Sequence, residues 1–351
     1  MIRVLIVDGA VSRRQHLREL LASDPSITVI GEAARASEAK NAAIRLKPSV
    51  ILIADRLPGG GGLEATAEIM VDAPIPIVIV SESHDASNVA AAMNALHVGA
   101  LTILAIPGSA SSPETRRFVS TIKAMAQVRV VRRWREDSRT ALRIAAPRRE
   151  GDQPSLLRVP AAWPIRTVAI GASTGGPAAL QRLLGDLPHG FAPSILIVQH
   201  IAKGFLEGLI QWLASNCPLP VKIAENGEPL RASTVYVAPD DRHLGLADAS
   251  RVLLDDGPAI GGFRPSASFL FESTAKALGQ ASVHVIMTGM GRDGVSGLEI
   301  AHASGATVIA QDEASSIVFG MPGAAISAGI VDRVIALEDI GQELTRIGSR
   351  R

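Results

Sequence analysis

Val168-Ala169-Ile170-Gly171-Ala172-Ser173-Thr174-Gly175-Gly176-Pro177 decides how this chain is read. An apolar run ends in a serine hemmed by glycines, and Ala178-Ala179-Leu180-Gln181-Arg182-Leu183-Leu184 follows with helical spacing. Such a strand-to-helix turn puts Ser173 at the carboxyl edge of a sheet, where α/β proteins place their chemistry. Two more strand-end loops carry side chains that an activated serine requires. His200 closes Ile195-Leu196-Ile197-Val198-Gln199, and Asp293 follows Val285-Ile286-Met287-Thr288 in Gly289-Met290-Gly291-Arg292-Asp293-Gly294.

Around these loops, residues 164–351 show strand-like runs at 166–170, 194–199, 221–224, 234–238, 251–254, 283–288, 306–310 and 330–336. Helical spacing falls at 177–185, 203–215, 266–278, 294–304 and 321–328. This pattern predicts a Rossmann-like, mostly parallel α/β domain, with 234–238 and 251–254 paired as an antiparallel hairpin. Upstream, apolar runs at 2–7, 27–30, 50–53, 75–80 and 101–106 alternate with helical stretches at 12–22, 36–46, 63–71 and 86–97. Five strands alternating with helices over residues 1–125 predict a doubly wound parallel sheet. Between the two halves, 126–163, periodicity fails: eight arginines lie between Arg129 and Arg149, followed by Gly151-Asp152-Gln153-Pro154-Ser155. That composition reads as a solvated linker.

With 351 residues the chain is long enough for two domains. Hydrophobic residues make up 47% and aromatics only 3%, which describes an aliphatic α/β interior. A net charge of +1 provides no general field for nucleic acid or anionic membrane. The single cysteine, Cys217, fits a reducing cytoplasm. Ile2-Arg3-Val4-Leu5-Ile6-Val7-Asp8 reads as a first strand and not a signal peptide, and no apolar run approaches a membrane span. A cytoplasmic protein without membrane insertion is expected.

Ester hydrolysis near neutral pH needs a base to take the serine proton and a carboxylate to orient that base. Ser173, His200 and Asp293 all fall just past apolar strands, so they are expected to gather at one sheet edge. Their order differs from the Ser, Asp, His order of α/β-hydrolases, and the string does not fit G-x-S-x-G. The amides of Thr174 and Met290 are the candidate oxyanion donors. Other readings stay open. Ser173 with its glycines could cradle a phosphate, although the Walker lysine and a G-x-G-x-x-G string are missing. Asp293 could simply cap the helix that opens at Gly294.

Taken together, these strings resemble the chemotaxis-type protein-glutamate methylesterases over nearly the whole chain. The resemblance rests on Gly171-Ala172-Ser173-Thr174-Gly175-Gly176, Val198-Gln199-His200, Ala238-Pro239-Asp240-Asp241-Arg242-His243, Thr288-Gly289-Met290-Gly291, Asp293-Gly294, Gln311-Asp312-Glu313 and Phe319-Gly320-Met321-Pro322. It implies a receiver domain at 1–125 and a methylesterase domain at 164–351. Ser173 would be the nucleophile, His200 the base and Asp293 its orienter, with Met290 near the oxyanion. The implied substrates are glutamate methyl esters, and certain glutamines, on the cytoplasmic helical bundles of chemoreceptors. A sensor kinase or another signalling protein is the partner implied for the receiver; no cofactor or metal is implied for the hydrolysis. A non-catalytic signalling scaffold that keeps the esterase fold is the alternative. Two positions depart from the family here: Ala267-Ser268 follows Arg264-Pro265-Ser266 where an acid or amide is common, and Gly323 follows Met321-Pro322 where a basic residue is common.

The first domain departs further. A phosphorylatable receiver needs an acidic pair after strand one for Mg²⁺, an aspartate ending strand three and a lysine after strand five. Here Asp8-Gly9 replaces the acidic pair, and Ile106 stands at the lysine position. Counting back from Pro58 puts Ala54 at the phosphoacceptor position, with Asp55 displaced by one. In a strand, a one-residue slip turns a side chain to the opposite face. Ser81 keeps the hydroxyl position. The expectation is a pseudo-receiver, retained for docking or inhibition.

Overall fold

Continuous runs of Val, Ile and Leu with no polar alternation belong to strands covered on both faces, and they form the centre of each sheet. The computed structural model describes residues 1–58, 62–81, 92–96, 98–109, 112–128 and 164–348. The first sheet contains β1 (Ile2–Val7), β2 (Ile27–Ala33), β3 (Val50–Ala54), β4 (Ile77–Ser81) and β5 (Thr102–Ala105), ordered β2-β1-β3-β4-β5 and parallel throughout. On one face Val4, Ile6, Val50, Leu52, Val78 and Val80 pack with residues of α1 (Val11–Ala22). The later helix α4 (Pro113–Met125) adds Phe118 and Ile122 to that cluster. On the other face Leu5, Val7, Ile51, Ile53, Ile77 and Ile79 meet α2 (Ala36–Leu46) and α3 (Gly62–Asp72). Most of the helix expected at 86–97 lies outside the described residues, although 92–96 are helical. The expected arginine-rich linker lies outside them from residue 129 onward.

The second sheet has seven strands: β6 (Thr167–Ala172), β7 (Ser194–Gln199), β8 (Val221–Ile223), β9 (Val235–Val237), β12 (Ser282–Ile286), β13 (Thr307–Gln311) and β14 (Arg333–Ile335). Their order is β14-β13-β12-β6-β7-β9-β8, with every pairing parallel. The chain leaves β6 towards β7 on one side and returns to β12 on the other. The carboxyl edge between β6 and β12 is therefore the topological switch point, where ligands of open α/β sheets bind. Helices α5 (Gly176–Gly185), α6 (Leu206–Ala214), α7 (Ala267–Leu278), α8 (Val295–Ala303), α9 (Met321–Ser327) and α10 (Leu337–Gly348) complete the domain.

The hairpin expectation needs correction. Val235–Val237 is fully buried and runs parallel between β7 and β8, whereas the antiparallel pair is β10 (His243–Asp248) with β11 (Arg251–Asp255), a separate two-stranded sheet. Asp248 Oδ1 closes its turn by accepting from the Ser250 amide at 2.7 Å. His243 and Gly245 hide the β10 pattern in the sequence.

The two domains meet where Ile317 and Val318 pack against the cluster of the first sheet. Beside them lies a cavity of ≈710 Å³, lined by Met70, Leu96, Leu101 and Val128 from one domain and Ile317 and Phe319 from the other. Among the described residues no helix is long and apolar enough to cross a membrane.

Candidate active site

Register brings the serine and the histidine side by side. Ala172 of β6 pairs with Gln199 of β7, so Ser173 and His200 are the next residues along two adjacent strands. The His200 amide donates to the Ala172 carbonyl at 3.0 Å, and on the other flank the Ser173 amide donates to Thr288, past β12, at 3.0 Å. Gln199 ties the two turns together, its Nε2 donating at 2.8 Å to the carbonyls of both Ser173 and His200. Thr288 Oγ1 donates to the Thr174 carbonyl at 2.9 Å, and the Thr288 amide donates to Gln311 Oε1 at 2.8 Å. Gly289 is pressed against the serine: a Cβ there would lie 2.7 Å from Ser173 Cβ. Gln199 and Gln311, quoted in the sequence motifs without a role, thus brace the loops. Among the described residues the amides of Thr174 and Met290 bind no acceptor, which leaves both donors available at this edge.

His200 Nε2 lies 2.9 Å from Asp293 Oδ2, and the two side chains are 11% and 2% exposed. The carboxylate is filled from several directions. Oδ1 accepts from Ser266 Oγ at 2.6 Å, the Ser268 amide at 3.2 Å and the Gly294 amide at 3.0 Å. Oδ2 accepts from the Ala267 amide at 2.7 Å. Ala267 and Ser268 open α7, so Asp293 caps that helix across the fold, where the dipole favours a negative charge. Asp293 also accepts from the amide of Gly294, the N-cap of the next helix, so the local capping reading and the pairing with His200 hold together. Burial alone pushes the Asp293 carboxyl up. The hydrogen bond and charge of His200, the Ser266 hydroxyl and the Ala267 amide outweigh it and hold the group at about 2.

A carboxylate that accepts everywhere requires His200 to carry its proton on Nε2. Nδ1 then holds the lone pair, and it is buried without a hydrogen-bond partner. Phe263 lies flat against the imidazole, with centroids 4.2 Å apart and planes 11° from parallel. Behind Asp293, His243 Nδ1 accepts from the Ser266 amide at 3.2 Å, and its Nε2 faces the Pro258 carbonyl at 3.1 Å. Ser268 uses its Oγ to accept from the Gly294 amide at 2.8 Å. Sequence reasoning assigned no role to Ser266, Ser268, His243 or Phe263. The clearest missed signal was the Gly261-Gly262 dipeptide, a turn that presents the following aromatic.

The first domain buries its acids differently. Val7 is in register with Ile53, so Asp8 falls in step with Ala54. Strand alternation puts Asp55 on the opposite face, that of Ile51 and Ile53. There its Oδ2 accepts from Ser81 Oγ at 2.5 Å. The Asp8 carboxylate is gripped by Arg13 through Nε at 2.8 Å and Nη2 at 2.9 Å, and by the Ala10 amide at 2.7 Å. Among the described residues no group of three or more His, Cys, Asp or Glu side chains is placed to hold a metal ion.

The depressed Asp293 pKa has a consequence for stability. Its stabilisation is present above the ordinary carboxylate value of 3.8 and is lost as pH falls through about 2. Denaturant unfolding between pH 5 and pH 2 should lose about 2 kcal/mol through this group. Asp293→Asn should flatten that part of the curve; parallel curves for the two proteins would contradict the assignment.

Two families match the chain: the CheB methylesterase family at residues 168–344 and the response regulator receiver domain at residues 4–109. A protein-glutamate methylesterase/protein-glutamine glutaminase of Myxococcus xanthus is 45% identical over 348 residues, covering 98% of this chain and 96% of its own. A similarly named protein of Anaeromyxobacter dehalogenans is 45% identical over 349 residues, covering 98% of each. The crystal structure of the Thermotoga maritima CheB methylesterase catalytic domain superposes with a TM-score of 0.51 at 37% identity, covering 53% of this chain and 100% of that one. The fold expected from the sequence and the family now agree: the chain belongs to the CheB methylesterases, with a response-regulator receiver domain ahead of the catalytic fold.

Proposed function

We propose that this protein hydrolyses glutamate methyl esters on the cytoplasmic helical bundles of chemoreceptors, and deamidates glutamines there, with Ser173, His200 and Asp293 as its catalytic residues. The observation that carries this reading is the His200–Asp293 pair. It leaves a buried, unpartnered Nδ1 on the histidine one strand away from Ser173. Ser173 Oγ attacks the ester carbonyl while Nδ1 takes its proton, and the Asp293 carboxylate stabilises the imidazolium. The Thr174 and Met290 amides receive the oxyanion. The imidazolium returns its proton to the leaving methoxide, releasing methanol and leaving an acyl-serine. Water, deprotonated by the same nitrogen, then frees the glutamate side chain and restores Ser173. A glutamine follows the same path with ammonia as the leaving group.

In this reading residues 1–125 are a pseudo-receiver, 126–163 a linker and 164–351 the catalytic domain. The Arg13 guanidinium on Asp8 supports the loss of phosphoryl control. A residue that keeps its proton occupies the acid a receiver uses for Mg²⁺, and Asp55 is held by the Ser81 hydroxyl. A sensor kinase or other signalling protein would dock on this domain without phosphoryl transfer.

Methanol release from a carboxyl-methylated receptor fragment should fall by about four to six orders of magnitude in Ser173→Ala. Equal release by both proteins would favour a non-catalytic scaffold. Incubation with acetyl phosphate and Mg²⁺ should leave the intact mass unchanged; a stoichiometric phosphoryl adduct on Asp8 or Asp55 would contradict the pseudo-receiver.

A further inference from the structure

The hydrogen bond to Asp293 fixes one atom of the His200 ring. It leaves the ring free to twist about the Nε2···Oδ2 line, and such a twist re-aims Nδ1, the nitrogen left without a partner. A flat surface stacked on the imidazole removes that freedom, and Phe263 is the surface, 4.2 Å away and 11° from parallel. The phenyl ring is itself well held. Ile260 and Phe263 exchange backbone hydrogen bonds of 3.0 and 2.9 Å around Gly261 and Gly262, whose φ angles of 57° and 84° are those of a tight hairpin turn. Directly after it, Arg264 holds Asp241 through Nε at 2.9 Å and Nη2 at 2.8 Å, and Ser266 reaches Asp293. One short segment therefore supports both the carboxylate and the stacking ring.

The first domain reaches the same turn. Arg117, on α4, donates through Nη2 to the Gly262 carbonyl, and its guanidinium carbon lies 4.9 Å from the Phe263 centroid. This contact joins the two domains next to the histidine. We propose that Phe263 is a positioning residue for His200, and that Arg117 of the first domain holds Phe263 in place. The docked pseudo-receiver then supports the base through a cation–π contact instead of through a phosphoryl group. The proposal rests on the reading of His200 as the general base.

The test uses the full-length chain and two readouts. In methanol-release kinetics, Phe263→Leu, which keeps apolar bulk but not the plane, should lower kcat about 10- to 100-fold with KM within about twofold. Phe263→Tyr should restore kcat to within about threefold, and Arg117→Ala should lower it by roughly three- to tenfold, with Arg117→Lys in between. NMR of the His200 ring protons provides a readout independent of turnover. Phe263→Leu should remove their ring-current shift, and Arg117→Ala should move them part of the way in the same direction. Wild-type kcat in Phe263→Leu, or a change confined to KM, would overturn the positioning role. A rise of kcat in Arg117→Ala, or unmoved His200 signals, would overturn the role of the first domain. Failure of the esterase reading itself shows separately, as methanol release by the wild type no faster than by Ser173→Ala.

Discussion

A negative charge kept almost wholly out of water organises the catalytic half of this protein. Asp293 is tolerable at 2% side-chain exposure because two α7 amides, a serine hydroxyl, the Gly294 amide and an imidazole all donate to it. The same donors fix its orientation, and its orientation fixes the histidine tautomer. Residues 200, 266–268 and 293, far apart along the chain, are thus joined in one hydrogen-bonded unit. A change that frees the carboxylate therefore also frees the imidazole, which in our reading is the base.

The first domain meets the same physical problem with a different partner. Asp8 is as deeply buried, yet its countercharge is an arginine from the following helix. Arginine does not give up its proton near neutral pH and its fork fills both carboxylate oxygens, so the acid is satisfied within the chain. Asp293, in contrast, is paired with an imidazole whose second ring nitrogen is left without a hydrogen-bond partner. One buried acid closes a site and the other prepares one. In our reading, that difference leaves the first domain to act through contact, and Arg117 on the Gly262 turn is where such contact reaches the catalytic fold.

Much of this was legible in the sequence because aliphatic runs and helical spacing are local signals. The helix at 36–46 and the strand at 194–199 have the boundaries their patterns predict. Ser173 and His200 come side by side because each directly follows a parallel strand at the same edge, and Asp293 meets His200 from the loop after β12. Elsewhere the pattern misled. Val235-Tyr236-Val237 is apolar on both faces, the mark of a parallel central strand, and pairing it with 251–254 ignored that mark. In β10, His243 and Gly245 break the apolar run, so the sequence pattern does not mark the strand. Helix α10 carries Ile340, Leu344 and Ile347 on one face, a helical spacing that is legible in the sequence. The supports of the site were hidden for a deeper reason. Whether Ser266 meets Asp293, or Phe263 meets His200, depends on strand order and on the direction of a loop, and neither is written in local spacing.

The most direct measurement is covalent capture. A small sulfonyl fluoride should place one adduct per chain on Ser173, located by mass spectrometry of the digested protein, and His200→Gln should nearly abolish its formation. An adduct on another residue, or one that forms as fast without the imidazole, would contradict a serine activated by the Asp293-held histidine.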